Sequence, residues 1–336
     1  MKFMIITYGR PIFRIKCSPL FFILSLVFII VTSLLLFVDA STSENDRTKS
    51  KSGEIKDFNF VAAGDFGCTE EAKKTIQGMM NKEPELVIAL GDLAYKKKPD
   101  CWFNIISPLT TNDKFKITFG AHDVSRGINA YNQYLDYFNL TKPYYSFDFG
   151  NVHFLAMATP KNKLIPYNDT SEQYKFVKGD LINAHKDKNI DWIIVYTFRT
   201  FYSSNTTHPG LDELQDAYHP LFDKYDVDVV LQAHNHNYQR TYPLSYNYTK
   251  QFTPIVTDMN NEYYTDIENG QIFLTVGTGG KELYNFTGQS PYVVKQIMRH
   301  GFLNIDVTED GKKISGSFYD VPGGKIMDEF AIKKSR

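Results

Sequence analysis

The stretch Glu85-Leu-Val-Ile-Ala-Leu-Gly-Asp-Leu-Ala-Tyr95 decides the fold. Leu86 to Leu90 is an unbroken apolar run, which suits a central parallel strand covered on both faces. Gly91 ends it, so Asp92 and Tyr95 lie beyond its carboxyl end. In open α/β sheets, ligands and reacting groups gather at that end of the strands. An Asp and a Tyr there are core trim or metal ligands, and this stretch alone does not separate the two.

Four other strands end the same way. Phe58 to Ala63 runs into Gly64-Asp65-Phe66-Gly67, and Phe115 to Phe119 into Gly120-Ala121-His122-Asp123. Trp192 to Thr197 leads into Phe198-Arg199-Thr200, and Val227 to Gln232 into Ala233-His234-Asn235-His236. Between them, Thr69 and Ser171 cap helices, the second running from Ser171 to His185. Ile128 to Leu140 and Leu211 to Tyr225 are also helical, and Gly150-Asn151 turns a hairpin. After a Tyr- and Asn-rich loop, Gln271 to Thr278 is a strand, and Phe302 to Asp320 folds back at Asp310-Gly311. Alternating strands and helices followed by hairpins predict one α/β domain over 57–336, a layered sandwich of mixed sheets flanked by helices.

The ends of those strands bring together hard oxygen donors and imidazoles without thiolates, a mixture suited to iron, zinc or manganese. A carboxylate between two sites can bridge a metal pair, and such pairs clamp an in-line displacement at phosphorus. His153, His185, His219 and His300 carry no motif and read as structural or surface residues. Lys+Arg at 37 against Asp+Glu at 38 leaves no basic footprint for nucleic acid.

The order Asp65-x-Gly67, Gly91-Asp92-x-x-Tyr95, Gly120-Ala121-His122-Asp123, Val195-x-x-Phe198 and Ala233-His234-x-His236 resembles the purple acid phosphatases, members of the calcineurin-like metallophosphoesterases. The run 237–243 and Gly277-Thr-Gly-Gly280 extend the likeness. The resemblance implies iron held by Asp65, Asp92, Tyr95 and His236. It implies a second ion (zinc, manganese or iron) on Asp92 and His234, with Asn and His at the positions of Ala121 and Phe198. Neither Ala nor Phe can ligate, so the second site is expected to be defective. His122 is the family's substrate-facing His, with Asp123 placed to orient it, and His208 loosely matches a second. The implied activity is hydrolysis of a phosphate monoester, impaired or lost here. A non-catalytic binder of metal or inorganic phosphate and a single-metal phosphodiesterase are the alternatives.

Lys2, Arg10, Arg14 and Lys16 precede the apolar run Leu20 to Val38, which reads as an export signal within 1–40 or as a retained membrane anchor. A flexible polar linker over 41–56 follows. Sequons at Asn139, Asn168, Asn205, Asn247 and Asn285 agree with a secreted or extracytoplasmic glycoprotein. Cys68 and Cys101 are either a disulfide or two buried thiols.

Overall fold

The computed structural model describes residues 56–250, 252–267 and 270–335. The expected signal or anchor and nearly all of the expected linker lie outside the described residues. No helix among the described residues is long and apolar enough to cross a membrane.

In chain order the strands are β1 (Phe58–Ala63), β2 (Leu86–Ala89), β3 (Phe115–Ile117), β4 (Tyr145–Phe149), β5 (Val152–Ala156), β6 (Trp192–Tyr196), β7 (Val229–Gln232) and β8 (Tyr238–Ser245). They continue with β9 (Ile255–Val256), β10 (Tyr263–Thr265), β11 (Gln271–Val276), β12 (Val293–Ile297), β13 (Gly301–Thr308), β14 (Lys313–Asp320) and β15 (Ile326–Lys333). The helices are α1 (Glu70–Met80), α2 (Asp100–Ile106), α3 (Ala121–Ser125), α4 (Ile128–Tyr137), α5 (Glu172–Lys186) and α6 (Asp212–Lys224). The expected caps form: Thr69 and Ser171 side chains accept from the amides of Ala72 and Tyr174.

Two sheets form, ordered β10-β15-β14-β13-β1-β2-β3 and β12-β8-β11-β7-β6-β5-β4. Each has a parallel heart: β1, β2 and β3 in one, β5, β6, β7 and β11 in the other. The alternation of β6 shows why the layers stack as they do. Trp192, Ile194 and Tyr196 enter the main core with Phe60, Ile88 and Leu303 of the first sheet. Ile193 and Val195 face the other way and meet Val177 and Leu181 of α5 and Leu214 and Phe222 of α6. An all-apolar strand is what a position buried on both faces demands.

The strands' carboxyl ends are sewn together by loop backbone. Asp65 and Phe66 donate to the carbonyls of Gly91 and Asp92, which joins the loops after β1 and β2. Gly64 donates to Val276 O and Gly279 donates to Gly64 O, which joins the two sheets. Cys68 and Cys101 are bridged, fixing the loop after β1 to α2. The 33-residue separation implies stabilisation of about 3–4 kcal/mol on the chain-entropy account.

The stretch expected to be a Tyr- and Asn-rich loop is the exception. Tyr238 to Ser245 is β8, an eight-residue strand whose polar-looking side chains point inward. Arg240 is 1% exposed and forms a two-pronged pair with Asp328 of β15 at 2.7 and 2.9 Å, and Tyr238 Oη donates to the same carboxylate. A charged residue can replace an apolar one in a strand core only when such a partner waits for it.

Candidate metal centre

Asp65, Asp92, Tyr95 and His236 reach the sewn edge from three different loops. Asp65 (φ 57°), Asp92 (φ 50°), Tyr95 (φ 57°) and His234 (φ 70°) all adopt left-handed backbone. Non-glycine residues there cost about 1–3 kcal/mol each, and such strain gathers where side chains must be aimed. Two glycines leave room for them. A Cβ at Gly120 would collide with Asp92 Oδ1, and one at Gly277 would stand 2.6 Å from Asp65 Oδ2.

The aimed atoms converge. Tyr95 Oη donates to Asp65 Oδ1 at 2.9 Å, it lies 3.1 Å from His236 Nε2, and that nitrogen is 3.3 Å from Asp65 Oδ1. Donor atoms at right angles on one ion, with bonds of 2.0–2.2 Å, stand about 3 Å apart. The three donors therefore already have the spacing of neighbours in one coordination shell. Three of the four candidate side chains are also fixed from behind. His236 Nδ1 donates to the Glu282 carbonyl at 2.7 Å, which leaves Nε2 as the ligating nitrogen. Asp65 Oδ2 accepts the His234 amide at 2.8 Å, and Asp92 Oδ1 accepts the His122 amide at 2.7 Å.

Electrostatics point the same way. Burial first, then the Asp65 and Asp123 carboxylates, push the Asp92 carboxyl well above its usual range. Burial and the Asp65 and Asp92 carboxylates drive the Tyr95 hydroxyl far above that of free tyrosine. Burial lowers the His236 imidazole, but Asp65 and the Glu282 carbonyl raise it overall. Two carboxylates and a phenol crowded out of water call for a cation, so this donor set fits a metal ion.

Around His234 the neighbours include a phenyl ring and a second imidazole. Phe198 is fully buried, and its ring centroid lies 4.9 Å from that of His234. His208 stacks on the same imidazole at 3.8 Å and 11°. Burial, then His208 and Arg199, lower the His234 imidazole to about 2, so it is a neutral donor. Ala121 opens α3 and offers a methyl. Here the chain supplies one imidazole and whatever Asp92 can share.

His122 Nε2 is 3.9 Å from Asp92 Oδ2, and its Nδ1 faces Arg126 Nη2 at 3.2 Å. The expected pairing with Asp123 does not form. Asp123 is buried, and its two oxygens accept the amides of Leu93 (2.8 Å) and Gly120 (2.9 Å). It braces the loops after β2 and β3 rather than orienting the imidazole. Burial lifts its carboxyl to about 7 against the pull of those amides. His208, matched only loosely in sequence, does reach the site through its stack on His234.

Two neighbours are not legible in the motifs. Tyr284 stacks on His236 at 4.0 Å and 12°, and Lys281 Nζ lies 4.7 Å from the Tyr95 ring centre. Both follow Gly277-Thr-Gly-Gly280, and Lys281 N donates to Asp65 O, so the turn after β11 delivers them. That glycine-rich turn is the one signal the sequence offers for them.

A family model described as calcineurin-like phosphoesterase matches residues 58–238. Purple acid phosphatase 21 of Arabidopsis thaliana is 26% identical over 243 residues, covering 66% of this chain and 50% of its own length. Probable inactive purple acid phosphatase 1 of the same plant is 24% identical over 336 residues, covering 90% of this chain and 50% of its own. The chain thus spans about half the length of these curated relatives. Among solved structures, a purple acid phosphatase isolated from yellow lupin (Lupinus luteus) seeds aligns with a TM-score of 0.71 at 21% identity, covering 83% of this chain and 54% of that one. GAP50, the anchor in the inner membrane complex of Plasmodium, aligns with a TM-score of 0.62 at 16% identity, covering 83% of this chain and 90% of its own. At these identities the structural likeness shows the fold alone.

Proposed function

The chain belongs to the calcineurin-like phosphoesterase family, with purple acid phosphatases among its relatives, and from that premise we propose a phosphatase relative with one metal site kept and one dismantled. Asp65, Asp92, Tyr95 and His236 would hold iron, with Tyr95 as tyrosinate. His234 and Asp92 are what remains for zinc, manganese or iron at the second position. The observation that carries the reading is the fully buried Phe198 ring beside His234, where a second ion would need a donor.

A bound metal pair supplies Lewis-acid contact with the ester oxygen and neutralises the phosphoryl charge. The remaining contributions come from the chain itself. His122 and His208 present imidazoles to a phosphate, and Asp123 holds the loops that position His122. Loss of one preorganised contact typically costs about 10²–10³ in rate, so two missing ligands leave hydrolysis of a phosphate monoester impaired or absent. One relative bears the description probable inactive, which accords with this reading. The retained His122 and His208 favour a second reading, a non-catalytic protein that binds metal or inorganic phosphate.

The basic flank and apolar run before residue 40 support export or membrane anchoring. Asn139, Asn168, Asn205 and Asn285 are exposed and Asn247 is half-buried, so all five sequons are open in some measure to glycosylation.

Hydrolysis of an aryl phosphate at acidic pH by metal-loaded protein tests the proposal, before and after Ala121→Asn with Phe198→His. The double change is expected to raise the rate at least about 10²-fold. Full activity in the unaltered chain, with no gain on substitution, would sink the dismantled-site reading. No turnover alongside measurable phosphate binding would support the second reading.

A further inference from the structure

His153 lies near the start of β5, at the end of the strand away from the metal centre. Both of its ring nitrogens meet carboxylates. Nδ1 is 2.7 Å from Asp148 Oδ1 on β4, its cross-strand partner, and Nε2 is 2.8 Å from Asp180 Oδ2 on α5. The second oxygen of Asp180 accepts from Ser146 Oγ of β4 at 2.6 Å. The neighbour on the other flanking strand, Ile193 of β6, is apolar. His153 is 7% exposed and Asp180 is largely covered, whereas Asp148 opens to solvent.

A neutral imidazole carries one N–H and one lone pair, so it can serve one of these carboxylates and must set its lone pair against the other. Only the imidazolium donates to both. We propose that His153 is an acid-closed clasp that ties β4 to α5 and opens as the medium becomes neutral to alkaline.

What the clasp holds is an edge. β4 is the outer strand of its sheet, as β3 is of the other. Tyr145 Oη of β4 donates to Ile117 O of β3 at 2.7 Å and accepts from Ile117 N at 3.1 Å, so one strand secures the other. β3 in turn runs into Gly120 and His122. Edge strands open at lower free energy than central ones, so a contact there is a natural point of control.

Burial lowers the His153 imidazole, but the Asp180 and Asp148 carboxylates outweigh it and hold it above the ordinary histidine value. A raised folded value means that the contribution is complete below the unfolded value of about 6.5, and is lost as pH climbs through the higher folded one. The edge is therefore firmest in acid.

Hydrogen-exchange protection factors for residues 145–149, from pH 5.5 to 8.5, test this in the wild-type chain, His153→Gln and Asp148→Asn. Wild-type protection is expected to fall about tenfold for each unit separating folded and unfolded values. His153→Gln should lack that fall and sit at the weak alkaline level throughout. Asp148 is 55% exposed at its side chain and tolerant of change, so Asp148→Asn should fold and show a smaller fall. Wild-type protection that stays level or rises with pH overturns the clasp, as does an equal fall in both variants.

Discussion

The two sides of Asp92 differ in one respect. Towards Tyr95, three donor atoms stand within 2.9–3.3 Å of one another. They are aimed by left-handed backbone at Asp65 and Tyr95 and fixed from behind, His236 by a carbonyl and Asp65 by an amide. Towards His234, one imidazole stacks on His208 and meets the tilted ring of Phe198. His234 shares the left-handed backbone of Asp65, Asp92 and Tyr95, so the chain is bent as sharply on this side as on the other. What has changed is side-chain chemistry: a methyl and a phenyl ring occupy places where the first side has oxygen and nitrogen. On the proposed reading, the strand ends and glycine turns set the geometry of both positions, and side-chain chemistry alone decides which of them can take an ion.

That contrast makes Phe198 a core residue, and it can be broken there. Phe198→Ala should cost about 3–5 kcal/mol of stability, the usual range for emptying a packed aromatic site. Chemical denaturation measures it directly. A loss below about 1 kcal/mol would show that the ring sits in slack space, as a position still accommodating an ion would allow. A smaller effect is expected on the retained side. Tyr284→Leu removes the ring stacked on His236 without touching a ligand, and should weaken metal binding about 10-fold, at the low end for supporting-shell changes. Titration with metal against a competing chelator reads this; unchanged affinity would mean that the stack does not orient His236.

Much of this is readable in the chain. An apolar run closed by Gly-Asp defines β2 because burial on both faces leaves no room for polar residues, and the same logic places β1, β6 and β7. Those strand ends bring Asp65, Tyr95 and His236 within 3.3 Å of one another. Asp123 departs from its expected role because neighbouring sequence positions suggest contact, whereas the short α3 turns its carboxylate towards two loop amides. β8 is hidden since Tyr238 and Arg240 look like surface residues until Asp328, 88 residues from Arg240, supplies their partner. Tyr284 and Lys281 are signalled only by the glycine-rich turn before them, because stacking and cation–ring contacts depend on where that turn points, which no spacing rule encodes. His208 reaches the site on a loose match, its loop pinned where Asn235 Oδ1, in the loop after β7, accepts the His208 amide.

We propose that the first site binds an ion tightly and the second does not. Metal content per chain, after loading with excess iron and zinc and removal of the unbound ions, tests it most directly. One ion per chain, with a visible tyrosinate-to-iron band that Tyr95→Phe abolishes, is the predicted result. Two tightly held ions per chain in the unaltered protein would contradict it.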